Sequence, residues 1–593
     1  MLFGVFPVSE GGYLAIEVVN VSFNKFTGSH PVFPAAMNLT VLDISSNAFS
    51  GGFNTTGLCI TPVKALRFSR NGFNGEILAG FGRCRMLAEL SIDGSGLTGN
   101  FPSDLYTLSE LRRLSLWENQ LSGSLSEHLG NFSQLMHIDL SYNIFTGIIP
   151  DVFGGLRRLE FLNLASNLFS STLPASLNNS LSGKIAIDFN LLPRLNILDV
   201  GSNMLSGVVP PSLMWCTELK TPNFATNKLE GKIPESYKNL RSLSHLSLVD
   251  NCFTNLSTAL RVLQYLPKLT SLVLTKNLRG GETLPMDGIN GFKSIQVLVL
   301  ANCALSGMIP PWLQSLESLR VLDLSWNKLN GKIPLWLGNM NNLFYVDLSN
   351  NSFSGELPES FTQIKSLISS NISSEPASIE DFPLLFKKNS ADKGLQYKHV
   401  SSFPPSLILS NNLLFGPVLR GLGHLVNLHV LDLSWNNFSG AIPDELSNMS
   451  SLEALNLSHN DLSGSIPASL TKLTFLSKYT NRGQFSTFAN EDFVGNSALC
   501  LLRNASCTEE APFVETRNEQ HRGTDTEMPA MTYITVEVGF TFGLLMVWNE
   551  LFFIRAWRVA YFLTIDRFFD MIHVMIVVKV NKLRRKWEYK VHP

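Results

Sequence analysis

The 24 residues from Leu319 to Asn342, LRVLDLSWNKLNGKIPLWLGNMNN, carry the pattern that decides the fold. With x for any residue they read LxxLxLxxNxLxGxIPxxLGxLxx, so apolar residues stand at fixed positions around one asparagine and a Gly-x-Ile-Pro turn. Related copies recur along the chain, most of them 24 residues apart. One copy cannot bury its own leucines, so the copies must stack and share a continuous core.

The L-x-L segment of each copy predicts a short strand, and stacking places these strands side by side in one parallel sheet. The asparagine that follows each strand is expected to turn inward and hydrogen-bond to the backbone of neighbouring loops, which would form a ladder along the coil. Strands are predicted to centre on residues 19, 42, 66, 90, 114, 138, 162, 198, 222, 246, 272, 298, 322, 346, 407, 431 and 455.

The repeat resembles the leucine-rich repeat of plant extracellular receptors, which is marked by the same Gly-x-Ile-Pro turn. The resemblance implies an α/β leucine-rich repeat solenoid, a right-handed parallel-β coil of the plant extracellular type. With the apolar segment described below, the predicted fold class is this solenoid plus one transmembrane helix.

Three irregularities in the spacing are informative. From Leu162 to Leu198 the step is 36 residues, one and a half repeats, and from Val346 to Leu407 it is 61, which leaves 37 inserted residues. After Leu455 the next strand would centre on residue 479, where YTNRGQFSTF leaves no room for a full repeat.

The inserted residues 368–402 are too apolar for a solvated linker, although a mobile surface loop is the alternative. Residues 395–400 alternate between apolar and polar, as a half-buried strand does. An insertion that folds back would cover the concave face of the coil and present a free strand edge. An extended peptide pairs with such an edge.

The outward-facing residues beside the insertion favour a peptide over a sugar or a nucleic acid. They are small, apolar or singly polar and include no basic stripe, which suits a shallow groove for peptide backbone and one or two apolar side chains. The alternative is that they are merely tolerated surface. These residues are Asn223 and Ala225, Ser247 and Val249, Val273 and Thr275, Val299 and Ala301, and Asp323 and Ser325.

Several runs that do not belong to the repeat consensus make the resemblance more specific. EDFPLLFKKN, GLQY, SSFPPSLILSNN, LKTPNFA and NLSTALRVLQYLPKLTSLVLT resemble the phytosulfokine receptor family, plant receptor kinases for a tyrosine-sulfated pentapeptide. The resemblance implies that a peptide lies between the insertion, called the island, and the concave face, and that it pairs with an island strand. The ligand-binding residues that it implies are Asn223, Ser247, Thr275, Asp323, Leu385, Lys387, Lys393, Gly394, Leu395, Gln396 and Tyr397.

The chain also departs from this family. Val249 stands where the family has a serine, and Leu385 where it has a phenylalanine of the apolar pocket. In the family an extra strand at the 162–198 step bears an arginine that meets the sulfate, and here Asn179-Ser180 joins the chain across its loss. Because a bidentate cation makes strong charge-assisted bonds, tight binding of a sulfated peptide is not expected. A related peptide, weak binding and lost function stay open.

The chain has seven cysteines. The resemblance implies a capping disulfide between Cys500 and Cys507, and Cys59 and Cys84, one repeat apart, could form another. Cys252 and Cys303 are interpreted as equivalent turn positions too distant to pair. An odd total leaves at least one free thiol. No metal-binding cluster, catalytic triad or carboxylate pair is recognisable, so neither a cofactor nor enzymatic activity is predicted.

Twelve Asn-x-Ser/Thr sequons, together with the capping cysteines, favour secretion and glycosylation. They begin at Asn20, Asn38, Asn54, Asn131, Asn178, Asn255, Asn350, Asn371, Asn437, Asn448, Asn456 and Asn504.

Residues 531–554, MTYITVEVGFTFGLLMVWNELFFI, are long enough to span a bilayer core, which takes about 20 residues. Six acids and two arginines lie between 509 and 527, whereas nine Lys/Arg and three acids follow residue 554, so the positive-inside rule places the repeats outside the cell. A peripheral amphipathic helix is the alternative. Gly539 and Gly543 form a GxxxG motif, which lets two helices pack closely.

The 39-residue tail is too short for a kinase domain, and no kinase motif occurs. We therefore predict a single-pass type I receptor-like protein of the plasma membrane. It would bind a small secreted peptide and signal through a co-receptor or adaptor leucine-rich repeat receptor kinase. A net charge of −2 argues against nucleic acid as a partner. The alternatives are a defence-type protein that recognises a pathogen protein or polysaccharide with its first six repeats, and a degenerate, non-functional copy.

The N-terminal sequence MLFGVFPVSEGGYLAI has no basic region, and without a capping motif the coil is expected to expose Leu14 and Ile16. The predicted domains are leucine-rich repeats at 1–367, the island at 368–402, C-terminal repeats at 403–480, a C-terminal cap at 481–508, an acidic juxtamembrane segment at 509–530, the transmembrane helix at 531–554 and a basic cytoplasmic tail at 555–593.

Overall fold

The computed structural model describes residues 1–7, 14–53, 55, 57–77, 79–170, 185, 187–368, 384–386, 395–397, 403–473 and 493–500. Contacts group Met1–Glu510 into one compact unit. The predicted membrane segment 531–554 and the tail lie outside the described residues. Among the residues that are described, no helix has the length and apolar character that crossing a membrane requires.

One long parallel sheet runs along the coil, and every predicted strand is present and centred on its predicted residue. Neighbouring strands pair in register, so that Leu42, Leu66 and Leu90 follow one another across the sheet. The pairing keeps the order of the chain throughout. The strands are Val18–Asn20, Val41–Asp43, Ala65–Arg67, Glu89–Ser91, Arg113–Ser115, His137–Asp139, Phe161–Asn163, Ile197–Asp199, Thr221–Asn223, His245–Ser247, Ser271–Val273, Val297–Val299, Val321–Asp323, Tyr345–Asp347, Ser406–Ile408, Val430–Asp432 and Ala454–Asn456.

The second side of the coil carries shorter parallel strands. In the Gly-x-Ile-Pro turn, Gly331 has a φ of 80°, a left-handed value that favours glycine. Pro334 then caps a helical turn, because its fixed φ suits a helix start. These strands are Phe3–Val5, Lys25–Gly28, Ala48–Phe53, Gly72–Ile77, Gly96–Asn100, Gln120–Ser122, Thr146–Gly147, Leu168–Phe169, Ser206–Gly207, Lys228–Gly231, Cys252–Phe253, Ser306–Gly307, Lys328–Lys332, Ser352–Glu356, Leu413–Pro417, Asn437–Ala441, Asp461–Ser465 and Ala498–Cys500.

Short helices close most repeats. In the described ranges two are α-helices, Leu256–Leu263 and Lys365–Ile368. The others are single turns of 3-10 helix: Leu58–Ile60, Phe81–Arg83, Ser103–Thr107, Glu127–Asn131, Phe153–Gly155, Phe189–Leu191, Pro211–Trp215, Glu235–Asn239, Pro311–Ser315, Leu335–Asn339, Glu359–Gln363, Arg420–His424, Asp444–Asn448 and Ala468–Lys472.

The core is one continuous column of apolar side chains. In the repeat that decided the fold, Leu322, Leu324, Leu329 and Leu337 each have a relative exposure of 0%. Full burial of a leucine contributes about 1.5–3 kcal/mol. Each coil obtains that burial from its two neighbours, so the stability of the repeats is shared along the column.

The predicted asparagine ladder is present. The Nδ2 of Asn143 donates to the carbonyl oxygens of Leu116, Leu140 and Ser141 at 2.9, 3.2 and 3.1 Å, and its Oδ1 accepts the N–H of Leu121 at 2.9 Å. One side chain thus satisfies four backbone groups of two neighbouring coils. The corresponding Nδ2 bond to the preceding coil is made by Asn47, Asn71, Asn119, Asn167, Asn203, Asn227, Asn251, Asn277, Asn327, Asn351, Asn412, Asn436 and Asn460.

Two positions of the ladder have no asparagine. Ser95 occupies one, and its buried Oγ has no hydrogen-bond partner in the described part of the chain. Cys303 occupies the other, where its thiol donates to the carbonyl oxygens of Leu274 and Ala301 at 3.2 and 3.3 Å. Cys303 is therefore a buried ladder residue, whereas Cys252 is exposed. The interpretation of these two cysteines as equivalent turn positions is wrong.

The 36-residue step after Leu162 is one long repeat. The strands Phe161–Asn163 and Ile197–Asp199 pair directly, residue by residue, in the long sheet. Asn203 continues the ladder by donating to the carbonyl oxygen of Leu164 at 3.0 Å. No place is left in this sheet for a further strand between the two.

The coil continues farther past residue 455 than the sequence analysis predicts. Asn496 forms another rung of the ladder, since its Nδ2 donates to the carbonyl oxygen of Leu457 at 3.0 Å. The strand Ala498–Cys500 then pairs with Asp461–Ser465. Asn496 follows Asn460 by 36 residues, the spacing of the long repeat above. One further rung therefore follows the last predicted strand, while residues 474–492, where the sequence leaves no room for a full repeat, lie outside the described residues.

The N-terminal coils are tied together covalently. Cys59 and Cys84 form a disulfide, as their spacing allows. Leu14 is 65% exposed, which agrees with the expected exposure of the apolar end. Ile16 is only partly exposed and packs against the core.

Candidate functional site

The concave face, meaning the face of the long sheet that points away from the core, changes character at its middle. In His137–Asp139 and Phe161–Asn163 only the central residue is fully buried, as in a sheet with one free face. In Thr221–Asn223 and in all four strands from Ser271–Val273 to Tyr345–Asp347, every residue is buried. We call this segment of the concave face the covered region, and it directly precedes the insertion in the chain.

Three hydroxyl groups in or beside the covered region lack partners. The oxygens of Ser247, Ser271 and Thr275 are buried and have no hydrogen-bond partner among the described residues. Ser271 and Thr275 are each 1% exposed, and Ser247 pairs in register with Val273 on the next strand. A buried hydroxyl without a partner costs about 1–3 kcal/mol. A ligand that supplied hydrogen-bonding groups at these positions would recover that free energy.

Two other predicted contacts are held in place by bonds within the protein. The Nδ2 of Asn223 donates to Oδ1 of Asp199 at 3.0 Å, and its Oδ1 accepts the N–H of Ala225 at 3.0 Å. Asp323, with 0% exposure, accepts the N–H and the hydroxyl of Ser325 at 2.9 and 2.6 Å. These bonds fix the orientation of both side chains on the concave face.

Between the polar groups the covered region is apolar. Val249, Val273, Val299 and Ala301 have exposures of 1, 1, 0 and 1%, and Val273 and Val299 are register partners. Such a surface suits an apolar side chain and disfavours an unpaired charge.

The insertion contains two antiparallel strands. Leu384–Phe386 pairs with Leu395–Tyr397, with Leu385 opposite Gln396. Of the strand predicted over residues 395–400, the described part, Leu395–Tyr397, is therefore confirmed for the backbone. Among the described residues it pairs on one edge only, so the other edge is available to an added strand.

Other predicted site residues cannot be placed in the same way. Lys387, Lys393, Gly394, Cys507, Gly539 and Gly543 lie outside the described residues, and for Leu385, Leu395, Gln396, Tyr397 and Cys500 the backbone alone is described. Packing of the island on the concave face stays a prediction. Within the described ranges, no group of His, Cys, Asp or Glu side chains could hold a metal ion.

Two further residues of this face, Ser271 and Tyr345, are not among the predicted site residues. Each stands directly before the central residue of its strand, two residues before the outward position that follows that centre. Tyr345 is 6% exposed, and its ring contacts Phe403 edge-on at a centroid distance of 5.4 Å. The signal that finds them is the strand period, because residues two apart share a face.

The N-terminal half of the concave face is charged instead. Arg67 makes a two-point ion pair with Glu89, with N–O distances of 2.9 and 2.6 Å. His137 stacks on Phe161 at a centroid distance of 4.1 Å. Burial and then the charge of Arg113 lower the pKa of His137 to about 3. Arg67 and Glu89 thus neutralise each other within the protein.

Asp199 lies on the strand between the charged half of the concave face and the covered region. Its Oδ1 accepts the N–H of Gly201 at 2.9 Å as well as the bond from Asn223. Burial is the largest influence and raises the pKa of Asp199 to about 6, with Asp139 adding to the shift and the two hydrogen bonds opposing it.

Replacing Asp199 with asparagine should stabilise the protein at pH 7.5 and have little effect at pH 4. Since the folded-state pKa lies above the unfolded value, the native state keeps its proton longer, and the stability from this group is lost as pH rises through 6. Asparagine stays neutral, so it should recover up to about 3 kcal/mol at pH 7.5. Thermal unfolding at both pH values measures this, and an equal gain at both would show that the ionisation of Asp199 is not the cause.

The described sequons differ in accessibility. Asn38, Asn131, Asn437 and Asn448 are exposed, and no hydrogen bond of their side chains is seen within the described residues. Asn20, Asn255, Asn350 and Asn456 each accept a bond at Oδ1. The sequons at Asn54, Asn178, Asn371 and Asn504 lie outside the described residues.

The repeat family is recognised independently of this geometry. Family models described as leucine rich repeat match residues 109–169, 267–329 and 293–353, and again 158–189, 427–449 and 451–473. The repeats are therefore leucine-rich repeats, as the resemblance predicts.

Among its relatives are two receptors of the predicted kind. Phytosulfokine receptor 1 of Arabidopsis thaliana is 48% identical over 198 residues, which are 33% of this chain and 19% of that receptor. Phytosulfokine receptor 2 is 45% identical over 183 residues, 31% of this chain and 18% of that receptor. Receptor-like protein 3 is 41% identical over 200 residues, 33% of this chain and 26% of that protein. The matches thus span about a fifth to a quarter of these relatives.

Solved structures share the fold over most of the chain. One is the ectodomain of the Arabidopsis thaliana receptor kinase GASSHO1/SCHENGEN3, solved in complex with CASPARIAN STRIP INTEGRITY FACTOR 2. It superimposes with a TM-score of 0.61 at 26% sequence identity, and the match covers 84% of this chain and 55% of that ectodomain chain. Another is the Arabidopsis receptor kinase HAESA, solved in complex with the peptide hormone IDA and the co-receptor SERK1. It has a TM-score of 0.56 at 25% sequence identity, and the match covers 86% of this chain and 83% of the HAESA chain.

Proposed function

We propose that this protein is a kinase-less receptor-like protein that binds a small secreted peptide between its island and the covered region. The observation that carries the proposal is the group of three buried hydroxyls of Ser247, Ser271 and Thr275 in two neighbouring repeats, which have no hydrogen-bond partner among the described residues. An extended peptide would supply hydrogen-bonding groups there and pair its backbone with the edge of Leu395–Tyr397. The apolar residues between the hydroxyls would hold one or two of its side chains.

The similarity to phytosulfokine receptors supports a peptide of that class, tyrosine-sulfated or not. Sulfate recognition receives no support from the long repeat, because Phe161–Asn163 pairs directly with Ile197–Asp199. The buried carboxyl group of Asp199 stands at this place instead, and an anionic sulfate beside an ionised carboxylate would be repelled.

Signalling is proposed to run through a partner. The chain would sit in the plasma membrane as a single-pass type I protein, with glycosylated repeats outside and residues 531–554 as the spanning helix. Its output would come from an adaptor or co-receptor leucine-rich repeat receptor kinase. The co-receptor in the HAESA complex supports this kind of partner.

Titration calorimetry of the Met1–Glu510 unit with a tyrosine-sulfated pentapeptide and its unsulfated form tests the function and its chemistry together. Both forms should bind, with affinities within about tenfold of each other, because a charge-assisted bond worth about 1.5–3 kcal/mol is missing. Binding of neither form, nor of other small secreted peptides, would overturn the proposed function. A hundredfold preference for the sulfated form would show that another cation, first of all Lys387, takes the place of the lost arginine.

The same titration with Thr275→Val locates the site. Valine keeps the shape of threonine and removes the hydroxyl, so the peptide should bind about three- to tenfold more weakly, the effect of one hydrogen bond. Thr146→Val, on an exposed strand of the second side, is the matched control and should leave the affinity unchanged.

A further inference from the structure

An exposed apolar patch lies on the second side of the C-terminal coils. Leu413 and Phe415 are 54% and 48% exposed, while Leu414 between them is 0% exposed. The three residues belong to the strand Leu413–Pro417, whose outward side chains alternate with the buried one. We call Leu413 and Phe415 the apolar patch. Exposed side chains of this size leave apolar surface in contact with water unless something covers it.

A sequon asparagine lies directly beside this patch. Asn437 pairs in register with Phe415 across two neighbouring parallel strands, which are about 4.8 Å apart. Phe415 is exposed and follows the buried Leu414, and Asn437 is exposed and precedes the buried Phe438. The side chains of Phe415 and Asn437 therefore project from the same face of the sheet. Asn437 begins the sequon Asn-Phe-Ser, and no hydrogen bond of its amide is seen within the described residues.

The surroundings of Asn437 leave room for a substituent. A Cβ placed on Gly440 of the same strand would meet nothing within 4 Å. On the other side of Phe415, the register partner is Glu356, an exposed carboxylate. The register partners of Phe415 are therefore the charged Glu356 on one side and the sequon residue Asn437 on the other.

We propose that Asn437 carries an N-glycan whose first N-acetylglucosamine packs its C–H groups against the ring of Phe415 and covers the apolar patch. Its transfer forms one bond, from Nδ2 of Asn437 to C1 of the sugar, and breaks the bond from C1 to the diphosphate of a lipid carrier. The lipid diphosphate leaves and the amide gives up one proton. The electron-rich face of an aromatic ring attracts polarised C–H groups, and the contact removes apolar area from water.

The experiment uses the full chain expressed in cells that glycosylate, with Asn437→Gln, Phe415→Ser and the double variant. Asn448→Gln is the control, because Asn448 ends the helical turn Asp444–Asn448 in the same repeat and is exposed without a strand partner. Mass spectrometry gives occupancy at Asn437, and thermal unfolding with and without each change gives the coupling between sugar and ring. Peptide binding is not required, so failure of the proposed function leaves this test intact.

Asn437 should be occupied, and Asn437→Gln should lower the unfolding temperature of the C-terminal coils by about 2 °C when Phe415 is present and leave it unchanged in the Phe415→Ser background. An endoglycosidase that leaves one N-acetylglucosamine should preserve the effect of the whole glycan. Asn448→Gln should have the same effect in both backgrounds. An unmodified Asn437, or an equal shift with and without Phe415, would overturn the proposal.

Discussion

Replacing Asn143 with alanine is expected to destabilise the repeat unit by about 3–5 kcal/mol. The change leaves three carbonyl oxygens and one N–H without the bonds that this side chain supplies. All four belong to the interior of neighbouring coils, where water cannot replace the lost partner. Because each coil depends on its neighbours, the loss should spread to both. Denaturant unfolding followed by far-UV circular dichroism measures it.

Two further variants serve as comparisons for this prediction. Asn339→Ala changes an exposed asparagine at the end of a helical turn and should shift stability by less than about 0.5 kcal/mol. Ser95→Asn restores the missing rung at a position where the serine hydroxyl is buried and unpartnered among the described residues, so it should stabilise. An effect of Asn143→Ala as small as that of Asn339→Ala would show that the ladder contributes little to stability.

Replacing residues 369–402 with a Gly/Ser linker of equal length is expected to abolish peptide binding by the Met1–Glu510 unit. The proposed ligand would lose its strand partner at Leu395–Tyr397 together with one wall of the groove. Three backbone hydrogen bonds at about 0.5–1.5 kcal/mol each correspond to a loss of about tenfold to two-thousandfold in affinity, before any apolar contact is counted. Calorimetry with the peptide bound by the unaltered unit measures the loss.

The linker variant should keep its repeats folded. Tyr345–Asp347 and Ser406–Ile408 pair with each other in the long sheet, so the sheet does not need the island for its continuity. A Gly/Ser linker in place of residues 171–184, in the other irregular repeat, is the matched control and should leave binding intact. Retained binding after replacement of the island would place the site elsewhere on the concave face.

The sequence predicted most of the architecture because the period of the repeat is itself the structural rule. The leucines of each L-x-L segment can be buried only in the shared core of the coil. The strand centres from 19 to 455 therefore follow from the spacing of these segments. The added rung at Asn496 did not follow from the spacing. There the number of residues per coil changes, and only the hydrogen bond to the preceding coil shows that Asn496 takes the next place.

For the candidate site, the sequence determined which positions face outward, and the tertiary structure determined what surrounds them. The sequence by itself determined which residues point outward, since residues two apart in a strand share a face, and Ser247 and Thr275 followed from that. The tertiary structure decided that Ser271 and Tyr345 belong with them, that Asp199 is buried enough to raise its pKa, and that Phe415 stands beside Asn437. These facts depend on contacts between residues one or more repeats apart, and the spacing within a single repeat does not specify how neighbouring coils cover one another.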